Sequence, residues 1–371
     1  MYIIGFPLLL GPLVTLHELG HYLVGRWFGV HAEAFSVGFG KEIAGFTDRR
    51  GTRWKLSVLP LGGYVQFKGD MNPASVPDAD AVAHASAEEC VGSFHHAPLW
   101  RRALIVFAGP ATNILVTLAI FAGFFMFVGK PVPQAPESQL TVAGFSEGSP
   151  AEAAGLEVGD RITAIDGEVM DDFRDLQEAV MLYPGKRLDV SFERDGAERT
   201  IPITAASVEQ EDRFGNASRI GLLGVRPAGV SFAYERMGPI SSIVTAGEYS
   251  VGIVRMMVTG IGQILTGERS VKELGGPVKI AKYSGEQLSL GPLAFINFVA
   301  LISLNLAFIN LLPIPGLDGG HLAFYAAEAV RRKPVGPRGL EVAYRTGMAI
   351  VLMMMLFVTV NDLASLPLFG K

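Results

Sequence analysis

The chain has 371 residues, of which 49% are hydrophobic and 18% are charged, and its mean hydropathy is +0.34. This composition is typical of a membrane protein with a water-soluble part, and the length allows two or three domains. The single cysteine, Cys90, excludes an intrachain disulfide framework and a multi-cysteine zinc site. A net charge of −5, without a basic cluster interleaved with aromatic residues, argues against nucleic-acid binding.

The first segment is apolar and contains an HExxH motif, His17-Glu18-Leu19-Gly20-His21. Positions i and i+4 share one face of a helix, so both imidazoles can reach one ion, with Glu18 as a candidate general base. Catalytic zinc usually has three protein ligands, so the rest of the chain must supply another. The motif alone also arises by chance in about one chain per hundred. A cleaved signal peptide is not expected, because a basic n-region is missing and cleavage near Gly25 would discard the motif.

The next segment is predicted to leave the membrane and to form β structure. The run from Trp54 to Pro60 alternates in part and is bounded by Gly51 and by Gly62-Gly63. The glycine pair fits either a hairpin turn or a strand edge that faces a substrate. Residues 72–98 are polar and are predicted to form a mobile loop. This loop holds three histidines that we expect to be solvated rather than metal-bound, namely His84, His95 and His96.

A second uncharged stretch contains Gly109-Pro110 and Asn113, which would weaken a soluble helix. In a membrane bundle, neighbouring helices can satisfy the loosened backbone, and small residues allow close packing. We therefore expect a membrane crossing here. Asn113 is expected to have a structural role, hydrogen-bonded to a neighbouring helix.

The stretch 130–236 is acidic and has short β-type runs, which indicates a soluble domain. Its motifs Gly148-Ser149-Pro150-Ala151, Ala154-Gly155-Leu156 and Val158–Ile162 resemble a PDZ domain of the bacterial protease-associated kind. By the same resemblance, a carboxylate-binding loop lies near the C-terminal end of the domain, at Gly221, Leu222, Leu223 and Gly224. Such a groove would bind a peptide C-terminus by strand addition. The alternative is an occluded groove in a domain that acts only as a steric plug.

After this domain, an apolar face interrupted by Glu248 and Arg255 predicts amphipathic helices lying on the membrane surface. A third apolar stretch follows, and Asp318 near its C-terminal end is the candidate third metal ligand. His321 is the rival metal ligand. For it we favour a different role, either contact with one of the residues that bind the metal or capping of a helix. Asn310 fits either substrate positioning or a bridge between helices.

Five motifs together resemble the site-2 protease family of intramembrane zinc metalloproteases, in its bacterial RseP-like branch with a single PDZ domain. They are His17–His21, Val37–Lys41, Pro60–Val65, Gly109–Asn113 and Asn310–Gly320. Some relatives carry two PDZ domains in tandem, so what is inferred from a two-domain filter does not transfer to this chain.

The resemblance implies that His17, His21 and Asp318 bind Zn²⁺, that Glu18 is the catalytic base and that Asn310 positions the substrate. It places Gly62, Gly63 and Tyr64 in a membrane-associated β element that pairs with an extended substrate. The implied activity is the second cut of regulated intramembrane proteolysis, made in single-span membrane proteins after a first periplasmic cleavage. An anti-sigma factor or a remnant signal peptide would be such a substrate.

The distribution of Lys and Arg predicts the orientation in the membrane. Both connections that are rich in these residues, 27–102 and 321–345, are expected in the cytoplasm by the positive-inside rule. This orientation puts the PDZ-like domain in the periplasm and the metal site towards the cytoplasmic side of the bacterial inner membrane. Crossings one and three then run in the same direction, which brings His17, His21 and Asp318 to one level.

The predicted fold is a polytopic α-helical membrane protein with about four transmembrane helices, a membrane-associated β element and an inserted PDZ-like α/β domain. The expected segments are 1–26 (first crossing), 27–102 (β region and loop), 103–129 (second crossing), 130–236 (PDZ-like), 237–287 (surface helices), 288–320 (third crossing), 321–345 (connection) and 346–371 (fourth crossing).

Two other functions compete with the protease. One is a membrane scaffold with a PDZ groove and a vestigial zinc site. The other is a transporter, which would need polar residues along several crossings.

Overall fold

The structure is a computed structural model that describes residues 2–70, 86, 90–134, 139–211, 217–229, 232–267, 271, 275–333 and 337–364. It divides into two compact units. The membrane unit consists of Met1–Ala122, Ile243–Thr259 and Ile264–Lys371, and the PDZ-like unit consists of Gly123–Ser242 and Gly260–Gln263. His84 lies outside the described residues.

The helices are α1 (Tyr2–Trp27), α2 (Leu99–Phe127), α3 (Pro150–Ala153), α4 (Phe173–Met181), α5 (Pro239–Thr266), α6 (Pro277–Ser289), α7 (Pro292–Leu311), α8 (Asp318–Arg331) and α9 (Pro337–Ala364). The strands are β1 (Ala32–Thr47), β2 (Arg53–Phe67), β3 (Lys130–Pro133), β4 (Val142–Phe145), β5 (Arg161–Ile165), β6 (Glu168–Val169), β7 (Arg187–Arg194), β8 (Ala197–Thr204), β9 (Ala206–Glu211), β10 (Ala217–Leu222), β11 (Val225–Pro227) and β12 (Phe232–Glu235).

Long apolar helices identify the chain as a multi-pass membrane protein. In the described part of the chain, α2, α7 and the stretch Val342–Leu363 of α9 are long and apolar enough to cross a membrane. Helix α1 is not in this group; it carries the polar HExxH motif within its 26 residues. The second, third and fourth of the predicted crossings thus meet the length and hydropathy criterion, and the first stays a prediction.

Helices α1 and α2 pack closely because one of them has a glycine at the contact. A Cβ atom on Gly20 would lie 2.3 Å from Thr112 Oγ1 and 2.5 Å from the Ala108 carbonyl oxygen. Real Cβ atoms do not come so near, so Gly20 allows a backbone approach that any larger residue would prevent. This contact sets the separation of the two helices beside the HExxH motif.

The β region forms one sheet from two long, bent antiparallel strands, β1 and β2. Phe35 is opposite both Val65 and Trp54, so the first half of β1 lies between two parts of β2. The hairpin turn is at Asp48, whose side chain accepts hydrogen bonds from the backbone N–H groups of Arg50 and Thr52. Gly62 and Gly63 are therefore inside β2, and the hairpin-turn interpretation of that pair is wrong.

This sheet packs against α1 and the start of α2 through a buried apolar cluster. Its largest members are Tyr22, Phe35, Phe67, Phe94, Ile105 and Tyr325.

The same region contradicts one prediction: His95 is not a solvated loop residue. Its Nε2 atom lies 2.9 Å from Asp70 Oδ1, and its side chain is only 10% exposed. The partner Asp70 precedes the polar loop and gives no sequence signal of the pairing.

The PDZ-like unit has a four-stranded antiparallel sheet in the order β6-β5-β7-β8, with its core between this sheet and the helices α3 and α4. Local capping explains two of its motifs. Ser149 caps α3 by accepting a hydrogen bond from the Glu152 N–H, and Pro150 occupies the first helical turn. Asp172 caps α4 in the same way, accepting from Arg174 and Asp175.

Candidate metal and active site

Three side chains with metal-binding atoms meet in the membrane unit. His17 Nε2 lies 3.2 Å from Asp318 Oδ2 and 3.2 Å from His21 Nε2, and His21 Nε2 lies 3.6 Å from Asp318 Oδ1. Both histidines are 7% exposed. In the described part of the chain, these three residues form the group of possible ligands whose binding atoms all lie within 4.8 Å of one another. The structure thus joins the HExxH histidines to a carboxylate from the other end of the chain.

The spacing of these atoms fits a zinc ion. Zinc bonds to nitrogen and oxygen are about 2.0–2.2 Å long, so neighbouring ligands in a tetrahedral site lie about 3.3 Å apart. The three separations of 3.2, 3.2 and 3.6 Å agree with that value without rearrangement. Two imidazoles and one carboxylate are also a donor set that catalytic zinc accepts.

Asp318 reaches the histidines because the chain turns sharply between α7 and α8. Helix α7 ends at Leu311, and α8 begins at Asp318. A Cβ atom on Gly319 would lie 2.3 Å from the Leu312 carbonyl oxygen, and one on Gly320 would lie 2.3 Å from the Ile314 carbonyl oxygen. The two glycines therefore let the first turn of α8 pack onto the backbone of the preceding turn. That packing holds the carboxylate at the start of a helix.

Helix α2 supplies the wall behind the two histidines. His21 Nδ1 is 2.8 Å from the Ile105 carbonyl oxygen. Because a carbonyl only accepts hydrogen bonds, Nδ1 must carry the proton, which leaves the lone pair on Nε2 for a metal. A Cβ atom on Gly109 would lie 2.2 Å from His21 Nε2 and 2.8 Å from His17 Cε1. The site therefore requires glycine at position 109.

Glu18 lies beside the proposed ligands and next to the edge of a strand. Its Oε2 atom accepts a hydrogen bond of 3.1 Å from the Val65 N–H of β2. Gly63 is close as well, since a Cβ atom there would be 3.7 Å from Glu18 Cγ. Among the described residues, β1 is the strand that pairs with this part of β2, and no second strand covers its other edge. A carboxylate and an open strand edge thus face the same space.

That space is a cavity of about 230 Å³ lined by residues of α1, α2, β2, α7 and α8. The metal-binding group, Glu18 and Asn310 all line it. His321 lines it too, but one of its ring nitrogens is 2.7 Å from Tyr344 Oη, and it is not part of the metal-binding group. The candidate substrate residue Tyr64 is not a lining residue; its ring stacks against Phe39 at 6.2 Å.

The residues assigned to the PDZ groove lie elsewhere, in the PDZ-like unit. Gly221 and Leu222 end β10, and a Cβ atom on Gly221 would lie 2.3 Å from the Val180 carbonyl oxygen at the end of α4. Leu223 is buried in the core, and Gly224 has a φ of +78°. A shallow depression between α4 and β11 is lined by Phe173, Leu176 and Val225.

The roles of two contributors to the candidate metal site are not predicted from the sequence. The Ile105 carbonyl is a backbone group, which no side-chain pattern reveals. In the sequence, Gly109 indicates a helix-weakening residue within a family motif and not a contact with both histidines. A short residue on a buried helix opposite an HExxH motif is the signal that could have found it.

Comparison with known proteins decides the family. The profile described as "Peptidase family M50", the site-2 protease family, matches residues 5–354, which is almost the whole chain. The chain belongs to peptidase family M50. A relative from Agrobacterium fabrum, provisionally named a zinc metalloprotease, is 42% identical over 98% of this chain and 96% of its own length. Metalloprotease MmpA of Caulobacter vibrioides is 35% identical over 97% of this chain and 94% of its own length.

This M50 protein is a membrane zinc metalloprotease, because the family is zinc-dependent and its similar relatives are named metalloproteases. A solved structure, the PDZ domain of the SdrC-like protein from Listeria monocytogenes, matches 27% of this chain and 93% of its own length. The identity is 17% and the TM-score 0.19, too low to support an argument about fold or function.

Proposed function

We propose that this M50 protein makes the second cut of regulated intramembrane proteolysis, in single-span membrane proteins already cut once in the periplasm. An anti-sigma factor is the kind of substrate we expect, and remnant signal peptides are a further class. One observation carries the proposal: a three-ligand group, a carboxylate and an open strand edge share one cavity within a helical membrane unit. Together these parts supply a metal site, a candidate base and a place for an extended substrate.

His17, His21 and Asp318 are the proposed zinc ligands. When bound, zinc supplies Lewis-acid polarisation of a peptide carbonyl and makes a water more acidic. Glu18 is the proposed base, which takes a proton from the attacking water and passes it to the leaving amine. The 3.1 Å hydrogen bond from the Val65 N–H holds the Glu18 carboxylate at the strand edge, where the scissile peptide would lie.

The strand edge also suggests how a helical substrate becomes cleavable. A transmembrane helix has its carbonyl groups hydrogen-bonded within the helix, so it must unwind locally before attack. We propose that the Gly63–Phe67 part of β2 receives the unwound segment as an added strand, which gives its backbone groups new partners. Asn310, which lines the same cavity, would hold the substrate backbone. Substrates with helix-weakening residues near the cut should therefore be preferred.

The orientation proposed from charge places the PDZ-like unit in the periplasm of a bacterium and the metal site towards the cytoplasmic side of the inner membrane. In that arrangement the PDZ-like unit would exclude substrates that still carry bulky periplasmic domains. The depression between α4 and β11 is shallow, which favours this steric role over capture of a peptide C-terminus. If deletion of residues 135–230 leaves uncut substrates fully protected, the filter is refuted.

The decisive experiment compares the wild type with Glu18→Gln in cells. The variant should bind zinc as the wild type does but should not cleave, so that membrane stubs trimmed by the first protease accumulate. Glu33→Gln is the matched control, because Glu33 is exposed and does not line the cavity. Wild-type turnover by Glu18→Gln would refute the catalytic role, and a scaffold without proteolytic activity would show no difference between the strains.

A further inference from the structure

The side chain of Asn113 is fixed in place beside the proposed zinc ligands. Asn113 is fully buried on α2. Its main-chain carbonyl accepts hydrogen bonds from Thr117 Oγ1 at 3.0 Å and from Ser303 Oγ of α7 at 2.9 Å. The Thr117 hydroxyl is also 3.1 Å from the Ala300 carbonyl of α7. Helices α2 and α7 are thus clamped at the residue whose side chain projects towards α1.

The amide of Asn113 meets His17 on the ring edge away from Asp318. Asn113 Nδ2 is 3.3 Å from His17 Nδ1. The other amide atom, Oδ1, is buried, and none of the described residues donates a hydrogen bond to it. Amide nitrogen and oxygen have nearly the same shape, so a half-turn about the last side-chain bond puts either atom next to His17. The choice between them follows from what the imidazole has to do.

A neutral imidazole has one N–H and one lone pair, on different nitrogens. If Nδ2 faced His17, the lone pair would be on Nδ1 and the proton on Nε2, which points at Asp318 Oδ2. Such a ring could not bind a metal through Nε2. If Oδ1 faces His17, Nδ1 carries the proton and Nε2 keeps its lone pair for the site. His21 already has this arrangement, through the Ile105 carbonyl of the same helix.

We propose that Asn113 is a positioning residue for zinc: its side-chain oxygen accepts the Nδ1–H of His17 and holds Nε2 ready to bind the metal. The two histidines would then be oriented by one helix, His21 by a backbone carbonyl and His17 by an amide. Outer partners of this kind fix the tautomer and the direction of a ligand. The inference rests on the proposed zinc site and adds a residue that touches neither metal nor scissile bond.

The test measures the dissociation constant of Zn²⁺ for the full-length protein in detergent, in competition with a chromophoric chelator. Asn113→Leu keeps a similar volume but has no acceptor, so we expect zinc to bind about 10–100-fold more weakly. Asn113→Asp keeps an acceptor in either orientation and should bind at least as tightly as the wild type. Thr15→Val is the matched control, because the Thr15 hydroxyl bonds to the Gly11 carbonyl of its own helix, and it should leave zinc affinity unchanged.

Wild-type affinity in Asn113→Leu would overturn the inference, as would an equal loss in Asn113→Leu and Thr15→Val, since that indicates only packing. If Asn113→Leu does not fold, ¹⁵N-histidine spectra of the zinc-loaded wild type decide. Nδ1 of His17 should be protonated and slow to exchange its proton; an unprotonated or rapidly exchanging Nδ1 refutes the role. A wild type that binds no zinc would instead refute the proposed function itself.

Discussion

A buried carboxylate lies in each unit of the molecule, and the two have different partners. In the PDZ-like unit, Asp160 is 1% exposed and receives two hydrogen bonds of 2.6 Å from the guanidinium of Arg194. In the membrane unit, Asp318 faces the ring nitrogens of His17 and His21. The charge of Asp160 is balanced by a cation of this chain, whereas Asp318 belongs to a set of three groups that can each offer a lone pair.

This difference separates a structural charge from a binding site. Arg194 also donates to Glu157 Oε1 and to the Gly155 carbonyl, so the Asp160 pair ties the loop after α3 to β7. Four of the five N–H bonds of the Arg194 guanidinium thus have partners in this loop, so the group serves the structure of the unit. Around Asp318 the geometry leaves room for a cation at the centre of three acceptors. A buried acid beside an arginine indicates stability, and one beside two oriented imidazoles indicates a metal.

The largest effect should come from Asp318→Asn, which removes a charge but keeps the shape. We expect zinc binding to be lost and cleavage to fall by at least about a thousandfold, as for loss of a residue in a catalytic set. Asp160→Asn is the matched control in the other unit and should leave zinc content and the cleavage rate of a pre-trimmed substrate unchanged. Measured zinc content and cleavage of that substrate check both variants. Equal losses in the two variants would erase the distinction between the two carboxylates.

The next effect concerns the space around the histidines. Gly109→Ala puts a methyl carbon only 2.2 Å from His21 Nε2 and 2.8 Å from His17 Cε1. We expect zinc affinity to fall on the order of 10–100-fold, because both rings must move away from the new carbon atom and so lose their present alignment. Gly123→Ala on the same helix is the control, since a Cβ atom there meets nothing within 4 Å. Comparable zinc affinity in both variants would show that the rings do not need this space.

The third prediction addresses the structural carboxylate and its pH dependence. Burial alone would raise the pKa of Asp160, but hydrogen bonds from Arg194 and the Glu157 N–H hold that pKa below its ordinary value. A lowered pKa in the folded state stabilises the fold above the unfolded pKa of about 3.9, and the contribution is lost as the pH falls through the folded value. At pH 7, Asp160→Asn should destabilise the PDZ-like unit by about 3 kcal/mol, because it leaves Arg194 without its main partner.

Pulse hydrogen exchange along a urea titration of the intact protein, read from peptides of residues 150–204, measures this effect. The wild type should lose stability between pH 5 and pH 3 more steeply than Asp160→Asn does. Asp171→Asn is the control, because Asp171 is an acidic residue of the same unit that is not a hydrogen-bond partner of Arg194. Parallel pH curves for the wild type and Asp160→Asn would show that the Arg194 pair does not set the pH dependence.

Sequence reasoning reached the proposed ligands because zinc chemistry constrains residue type and spacing. His17 and His21 are one helical turn apart, and the need for a third ligand at membrane depth directed attention to Asp318. The surroundings were harder to predict, since contacts between α1 and α2 join residues about ninety positions apart that share no periodic pattern. Backbone acceptors such as the Ile105 carbonyl carry no side-chain signal at all. The roles assigned to Asn310 and Tyr64 stay predictions.

The β region shows the same limit from another direction. Its existence follows from alternation and flanking glycines, yet the turn lies at Asp48 and not at Gly62-Gly63. Two bent strands that fold back on each other satisfy the local pattern as well as a simple hairpin does, so the register is set by packing against α1. For the same reason, the pairing of His95 with Asp70 could not be read from the polar loop around it.

The smallest predicted effect tests a third kind of buried carboxylate, one that caps a helix from a distance. Asp362 of α9 is fully buried and accepts hydrogen bonds of 3.0 Å from the N–H groups of Gly276 and Lys279, at the start of α6. Because Gly276 has no side chain to cap α6, Asp362→Ala should weaken the first turn of α6 by about 1 kcal/mol. That change corresponds to about fivefold faster amide exchange in residues 277–284. Thr359→Val, whose hydroxyl bonds only within α9, is the control. Unchanged exchange in Asp362→Ala would mean that neighbouring packing, not the carboxylate, holds that turn, and zinc binding should be unaffected in either case.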